Sequence, residues 1–172
     1  DGYQPEPIMN AVARGIASRP PESGIDYRGF VDMSGGSSDD AVLSIGHKDA
    51  DGRAVVDRVV NQGPSAPFDP SKAVARFVGI MREYGCAALS GDRYAGETFK
   101  AQFEEQGIAY RISKRTKSQL YEALEPHLNG QRVILLDSPE VEQQLLGLVW
   151  RGGKIEHPAN EHDDHANAVA GC

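Results

Sequence analysis

The sequence predicts an α/β fold built on a mixed central sheet. Two observations predict it. Three apolar runs joined by short Gly-containing connections open the patterned part of the chain, the signature of an antiparallel meander. Strand-period and helix-period segments then alternate, which implies parallel strands joined by crossovers. With 172 residues and 40% hydrophobic content, the chain is long enough for one core.

The meander is read as Tyr27–Met33, Ala41–His47 and Ala54–Gln62. Ser34-Gly-Gly-Ser-Ser-Asp39 makes the first turn, and Asp49-Ala-Asp-Gly52 supplies a strong hairpin signal for the second. Pro70–Tyr84 carries Ala73, Val74, Phe77, Val78 and Met81 at helical spacing behind the start signal Asp69-Pro-Ser71. The strand Ala87–Ser90 follows, then a helix over Gly96–Gln106 closed by Gly107, with Phe99 and Phe103 four apart. Ala109–Ile112 reads as a strand, Ser118–Leu128 as a helix, Val133–Leu136 as a strand and Pro139–Val149 as a helix. A short extended piece around Lys154–His157 leads to a final helix over His162–Ala170. Residues 1–24, rich in Pro and small polar side chains, read as a linker or arm from a preceding domain, and residues 25–172 as the domain itself. Met9–Ile16 could add one or two helical turns to that arm. A meander followed by this alternation is the ribonuclease H-like layout. There the first strand lies centrally, beside the strand that follows the first helix.

Composition excludes some function classes. No apolar run approaches the ~20 residues that cross a bilayer, and Asp1-Gly-Tyr-Gln-Pro5 lacks a signal pattern. The missing initial Met suggests a piece of a longer chain or a processed product. Two cysteines, Cys86 and Cys172, make no disulfide framework and point to a reducing cytoplasm; Cys86 reads as a buried thiol. A net charge of −7 argues against an autonomous tight nucleic-acid binder. Clustered acids at a metal site would account for part of it, since bound cations restore positive potential locally. There is no phosphate-binding Gly-rich loop ending in Lys-Ser/Thr, and no nucleophile-elbow serine.

Three acidic stations stand out. Asp32 follows Phe30-Val31 and precedes Met-Ser-Gly-Gly36, so it is either a metal ligand at the end of a central strand or a turn cap. Asp92 ends Ala-Ala-Leu-Ser-Gly, at a strand C-terminus where α/β sheets gather ligands, or else caps the next helix. Asp163 and Asp164 open the last helix, where the dipole favours acids anyway. They point about 100° apart on the helix, so both are not expected on one ion. Asp164 is the expected ligand; Asp163 is the cap or a water-mediated ligand, and both enter the candidate metal set. Asn167, three residues after Asp164, shares its face. His162 is expected to orient a carboxylate or assist proton transfer. The spacing of His157, His162 and His165 fits no familiar zinc motif. Asp137, in Leu-Leu-Asp-Ser-Pro139, reads as a helix cap outside the site. The run Arg111-Ile-Ser-Lys-Arg-Thr-Lys117 is either a phosphate contact or a solvated loop, and Arg93 either meets a phosphate or pairs with Asp92.

Phe30-Val-Asp-Met-Ser-Gly-Gly36, Leu89-Ser-Gly-Asp-Arg-Tyr94, Leu135-Leu-Asp-Ser-Pro139 and above all His157-Pro with His162-Asp-Asp-His-Ala-Asn-Ala-Val-Ala-Gly171 resemble the C-terminal nuclease domain of bacteriophage terminase large subunits. The similarity runs from about Ile25 to Cys172. It implies an endodeoxyribonuclease that cuts concatemeric viral double-stranded DNA during genome packaging, in the host cytoplasm, with no membrane. It implies Mg²⁺ or Mn²⁺, two ions at an acidic cluster, clamping both sides of the phosphodiester. Catalytic Asp32, Asp92 and Asp164 match the family's acids. Many relatives carry Asp where this chain has Asn167. Arg93, Lys114, Arg115 and Lys117 become candidate DNA contacts. The family's partners are an N-terminal ATPase motor in the full-length chain, the terminase small subunit and the portal. The alternatives are another ribonuclease H-like nuclease of the junction-resolvase type, or a non-catalytic module that docks on DNA or portal. An actin-like ATPase fold would need two such domains, and the chain is too short for it.

Overall fold

The computed structural model describes residues 5–33, 41–62, 69–115, 117–138 and 169–171. The meander forms as expected: β1 (Arg28–Asp32), β2 (Ala41–Lys48) and β3 (Ala54–Gln62) pair antiparallel. The turn before β3 is closed by Asp49, whose Oδ1 accepts the Asp51 and Arg53 amides at 3.0 and 2.8 Å.

Helix α2 (Pro70–Glu83) starts where the sequence signals it. Asp69 Oδ1 accepts the Ser71 amide at 3.0 Å, and Pro70 occupies the first turn. Both α2 and α3 (Arg93–Glu105) stop on glycines with left-handed backbones, Gly85 at φ +71° and Gly107 at φ +86°. Behind them the Cys86 amide donates to Met81 O at 2.9 Å and the Ile108 amide to Phe103 O at 3.0 Å, closing each helix end. These stops deliver the chain into β4 (Ala88–Gly91) and β5 (Ala109–Ile112). Helix α3 begins three residues earlier than its apolar spacing suggests, directly after Asp92. Helix α4 (Lys117–Asn129) holds Pro126 within its last turn, and β6 (Val133–Ile134) ends the described alternation.

The sheet order is β5-β4-β1-β2-β3-β6, with β1–β4, β4–β5 and β3–β6 parallel. β1 is therefore interior, beside the strand that follows the first long helix. One face packs Val31, Leu43 and Leu89 against Phe77, Met81, Phe99 and Phe103 of α2 and α3. The other face carries Phe30 and Val42, with Leu120 of α4 against them. Val56, Leu124, Leu128, Leu135 and Val169 continue the core on the β3–β6 side. Residues 169–171 are helical, and a Cβ built on Gly171 would collide with the Phe30 ring. The end of the chain thus lies on the Phe30 face.

The short helix α1 (Pro5–Ala11) falls in the segment expected to be an arm. Ile8 is fully buried with Val56 and Leu128, and Val12 bridges Leu135 in parallel. The expected helix over Pro139–Val149 and the extended piece at Lys154–His157 lie outside the described residues. Among the described residues, no helix is long and apolar enough to cross a membrane.

Candidate active site

Asp32 is the last residue of β1 and is 1% exposed. Side chains alternate along a strand, so Asp32 shares its face with Phe30. The parallel register pairs Phe30 with Ser90 and Val31 with Gly91. Asp92 comes one residue later, between β4 and α3, and is partly exposed. Neighbouring strands lie about 4.8 Å apart, so the β1 and β4 ends bring Asp32 and Asp92 side by side.

Tyr110 reports on the same juxtaposition. It pairs with Leu89, and its ring runs across Gly91 towards the strand ends, with a hydroxyl that donates to the Asp92 carbonyl at 3.0 Å. Burial raises the Tyr110 phenol pKa far above its ordinary value, and the Asp92 and Asp32 carboxylates add to the rise. At Gly91 a Cβ would collide with the Tyr110 hydroxyl and stand 2.7 Å from Tyr110 Cζ and 3.0 Å from Val31 O. Only glycine leaves that path open.

Ser113, just past β5, donates its amide to Gly91 O at 2.7 Å. This ties the Lys114-Arg115 turn to the same end of the sheet as Asp32 and Asp92. Lys114 and Arg115 are exposed, and Ser113 Oγ accepts the Arg115 amide at 3.2 Å. Arg93, exposed, opens α3 directly after Asp92. Arg111 pairs with Ser90, so it lies on the Phe30–Asp32 face and is exposed. It opens the basic run that the sequence singles out, and the register places it on this face. Lys117 begins α4. Asp163, Asp164, His162 and Asn167 lie outside the described residues, and among the described ones no group of three or more His, Cys, Asp and Glu converges.

The donor set that does assemble suits a divalent cation. An oxygen-only pair favours hard ions such as Mg²⁺ and Mn²⁺ over softer metals. Asp137, read as a cap, stands three strands away. It accepts the Gly15 amide at 2.9 Å and faces Arg14 at 3.8 Å, tying the N-terminal segment to the sheet.

A second polar cluster, missed in the sequence, occupies the opposite end of the sheet. A β-bulge between Ile45 and Gly46 leaves Asp57 unmatched in β3 and re-aims it. Asp57, 1% exposed, meets His47 Nδ1 at 2.6 Å, and Tyr27 stacks edge-on against His47 at 5.5 Å. The Arg19 amide donates to Asp57 O and its guanidinium to Val56 O, both at 2.7 Å. With Glu22 and Ile25 these residues line a cleft of about 280 Å³. Burial pushes the Asp57 carboxyl above its usual 3.8, outweighing the downward pull of His47. A raised folded pKa means stability that is whole below the unfolded value and lost as pH rises through the folded one. Asp57→Asn, which keeps the shape and removes the titration, should therefore gain stability relative to the native chain as pH rises above the ordinary carboxyl value of 3.8. Urea midpoints against pH measure it, and parallel curves for the two proteins would contradict it. Cys86 is a buried thiol, as expected; burial, with Asp26 adding, pushes it up to about 11.

No family model matches this sequence, and no curated protein does. Solved structures do match its fold. The large terminase nuclease of thermophilic phage G20c superposes with a TM-score of 0.72 at 19% identity, covering 89% of this chain and 83% of that one. The same G20c nuclease has also been solved with zinc, with magnesium and with cobalt. The P22 large terminase nuclease domain gives 0.62 at 12% identity, covering 90% and 84%. The HK97 bacteriophage large terminase gives 0.73 at 14% identity; it covers 99% of this chain, which spans 43% of that protein. The chain thus has the fold of the phage large-terminase nuclease domains, a ribonuclease H-like fold with β1 interior and β4 beside it.

Proposed function

We propose that this chain is the nuclease domain of a phage terminase large subunit, an endodeoxyribonuclease that cuts concatemeric viral DNA during packaging. The observation that carries the reading is Asp32, buried at the end of an interior strand with Asp92 beside it on the parallel neighbour. The G20c nuclease, which shares this fold, is known with divalent metals. Asp32, Asp92 and Asp164 hold the divalent ions here, with Asp163 as helix cap or water-mediated ligand. Two Mg²⁺ or Mn²⁺ ions, when bound, supply Lewis acidity and an activated water for phosphodiester hydrolysis.

The chain's own residues do the rest. Asp32, Asp92 and Asp164 would together hold the ions through their carboxylates. His162 and Asn167 orient the carboxylates. Arg93, Lys114, Arg115 and Lys117 grip the backbone phosphates and read no base edges, since among the described residues no recognition element projects from this end of the sheet. An ATPase motor in a longer chain, a small subunit and a portal complete the packaging assembly. The Lys114→Ala/Arg115→Ala double variant should weaken DNA binding with the turnover rate unchanged, and should lower the salt slope by about two counterions. Filter binding across salt concentrations measures this, and an unchanged slope would remove the turn from the interface.

Supercoiled plasmid digestion tests the whole reading. Nicked and linear products are expected with Mg²⁺ or Mn²⁺ and none with EDTA. No cleavage with any divalent ion would leave a docking module. Strong preference for a branched junction over linear duplex would indicate a resolvase.

A further inference from the structure

We propose that Tyr110 is a positioning residue for the metal site: its hydroxyl holds the Asp92 peptide so that the Asp92 carboxylate faces Asp32. The inference rests on the nuclease reading and deepens it. Asp92 is the single residue between β4 and α3. Its backbone therefore turns from strand to helix within one residue, and the direction of its carboxylate follows from that peptide. Tyr110 reaches this peptide from the neighbouring strand, with the 3.0 Å hydroxyl contact to the Asp92 carbonyl. The phenol is itself fixed. It is 3% exposed, packs on Phe103 at a centroid separation of 5.7 Å, and fills the space left open by Gly91. One residue back, the Ser113 amide holds Gly91 O at 2.7 Å. β5 and the residue just past it thus clamp the end of β4, through the Ser113 backbone at Gly91 and the Tyr110 side chain at Asp92. Groups that orient a metal ligand commonly change metal affinity more than they change the fold.

Tyr110→Phe removes the hydroxyl and keeps the ring. Tyr84→Phe is the matched control, because Tyr84 also donates its hydroxyl to a backbone carbonyl, that of Arg19 at 2.5 Å, at the other end of the sheet. Calorimetric titration with Mn²⁺, without DNA, should show about tenfold weaker binding in Tyr110→Phe. Tyr84→Phe should bind as the native chain does, although both variants lose similar stability in urea. Equal Mn²⁺ affinity in Tyr110→Phe and the native chain would overturn the proposal. If the native chain itself took up no metal, the nuclease reading would fall with it. Should Tyr110→Phe fail to fold, the native chain labelled with 3-fluorotyrosine gives the same decision. Mg²⁺ should shift the fluorine resonance of Tyr110 and leave that of Tyr84 in place, and an unmoved Tyr110 resonance would refute the coupling.

Discussion

Asp32→Asn is expected to fold and to cut no DNA. The substitution keeps the size of the side chain at a site that is 1% exposed, so packing around Phe30 and Val42 stays intact. On the proposed function it removes one of the charges that would hold the cations. Metal ions contribute several kcal/mol of charge stabilisation to such a transition state, so cleavage should fall about 10³-fold or more. Without metal, two neighbouring carboxylates repel. In EDTA the variant should therefore match or exceed the native melting temperature. Native protein at 100 times its dissociation constant for metal should gain about 2.7 kcal/mol of stability, and the variant should gain far less. Thermal melts with and without Mn²⁺, beside plasmid digestion, check both halves. Native-level cutting by Asp32→Asn would remove Asp32 from the chemistry.

Gly91→Ala should have the second largest effect. The added methyl meets the Tyr110 hydroxyl and ring and the Val31 carbonyl, so either β5 or the β1–β4 pairing must shift. Overfilling a packed interior costs about 1–3 kcal/mol. The shift is centred one residue from Asp92, and a misplacement of about 1 Å can cost about 100-fold in rate. Stability and cleavage should therefore fall together. Gly79→Ala is the control: this helical glycine has nothing within 4 Å of an added Cβ. It should be neutral or stabilising by about 0.5–1 kcal/mol, with cleavage unchanged. Gly91→Ala with native midpoint and native activity would show that the close approach is not needed.

The elements that sequence reading recovers are those with local causes. Asp69-Pro70 starts α2, Gly85 and Gly107 stop helices, and the turn at Asp49–Gly52 closes a hairpin; each signal acts within a few residues of itself. The placement of β1 beside β4 follows from the order of strands and helices, and with it the adjacency of the strand ends that lead to Asp32 and Asp92. What escapes is set by register and by long-range contact. Nothing near Asp57 announces a bulge, so its pairing with His47 is invisible until β2 and β3 are aligned. Tyr110 looks like one more core aromatic until its hydroxyl is found on Asp92. The basic run from Arg111 is visible in the sequence, but which face of the sheet Arg111 takes is set by its register with Ser90. The contact of Asp137 with the Gly15 amide is likewise long-range and unannounced in the sequence; the helix that it is expected to cap lies outside the described residues. The third acidic station, Asp163-Asp164, lies outside the described residues, but Gly171 on the Phe30 ring brings the end of its chain segment to the face that holds Asp32.

Crystals soaked in Mn²⁺ test the central claim most directly, through anomalous scattering at the metal. The account predicts a peak within about 2.0–2.6 Å of carboxylate oxygens of both Asp32 and Asp92, with Asp164 completing the set. Manganese bound elsewhere on the molecule, with no peak between those two strand ends, would contradict it.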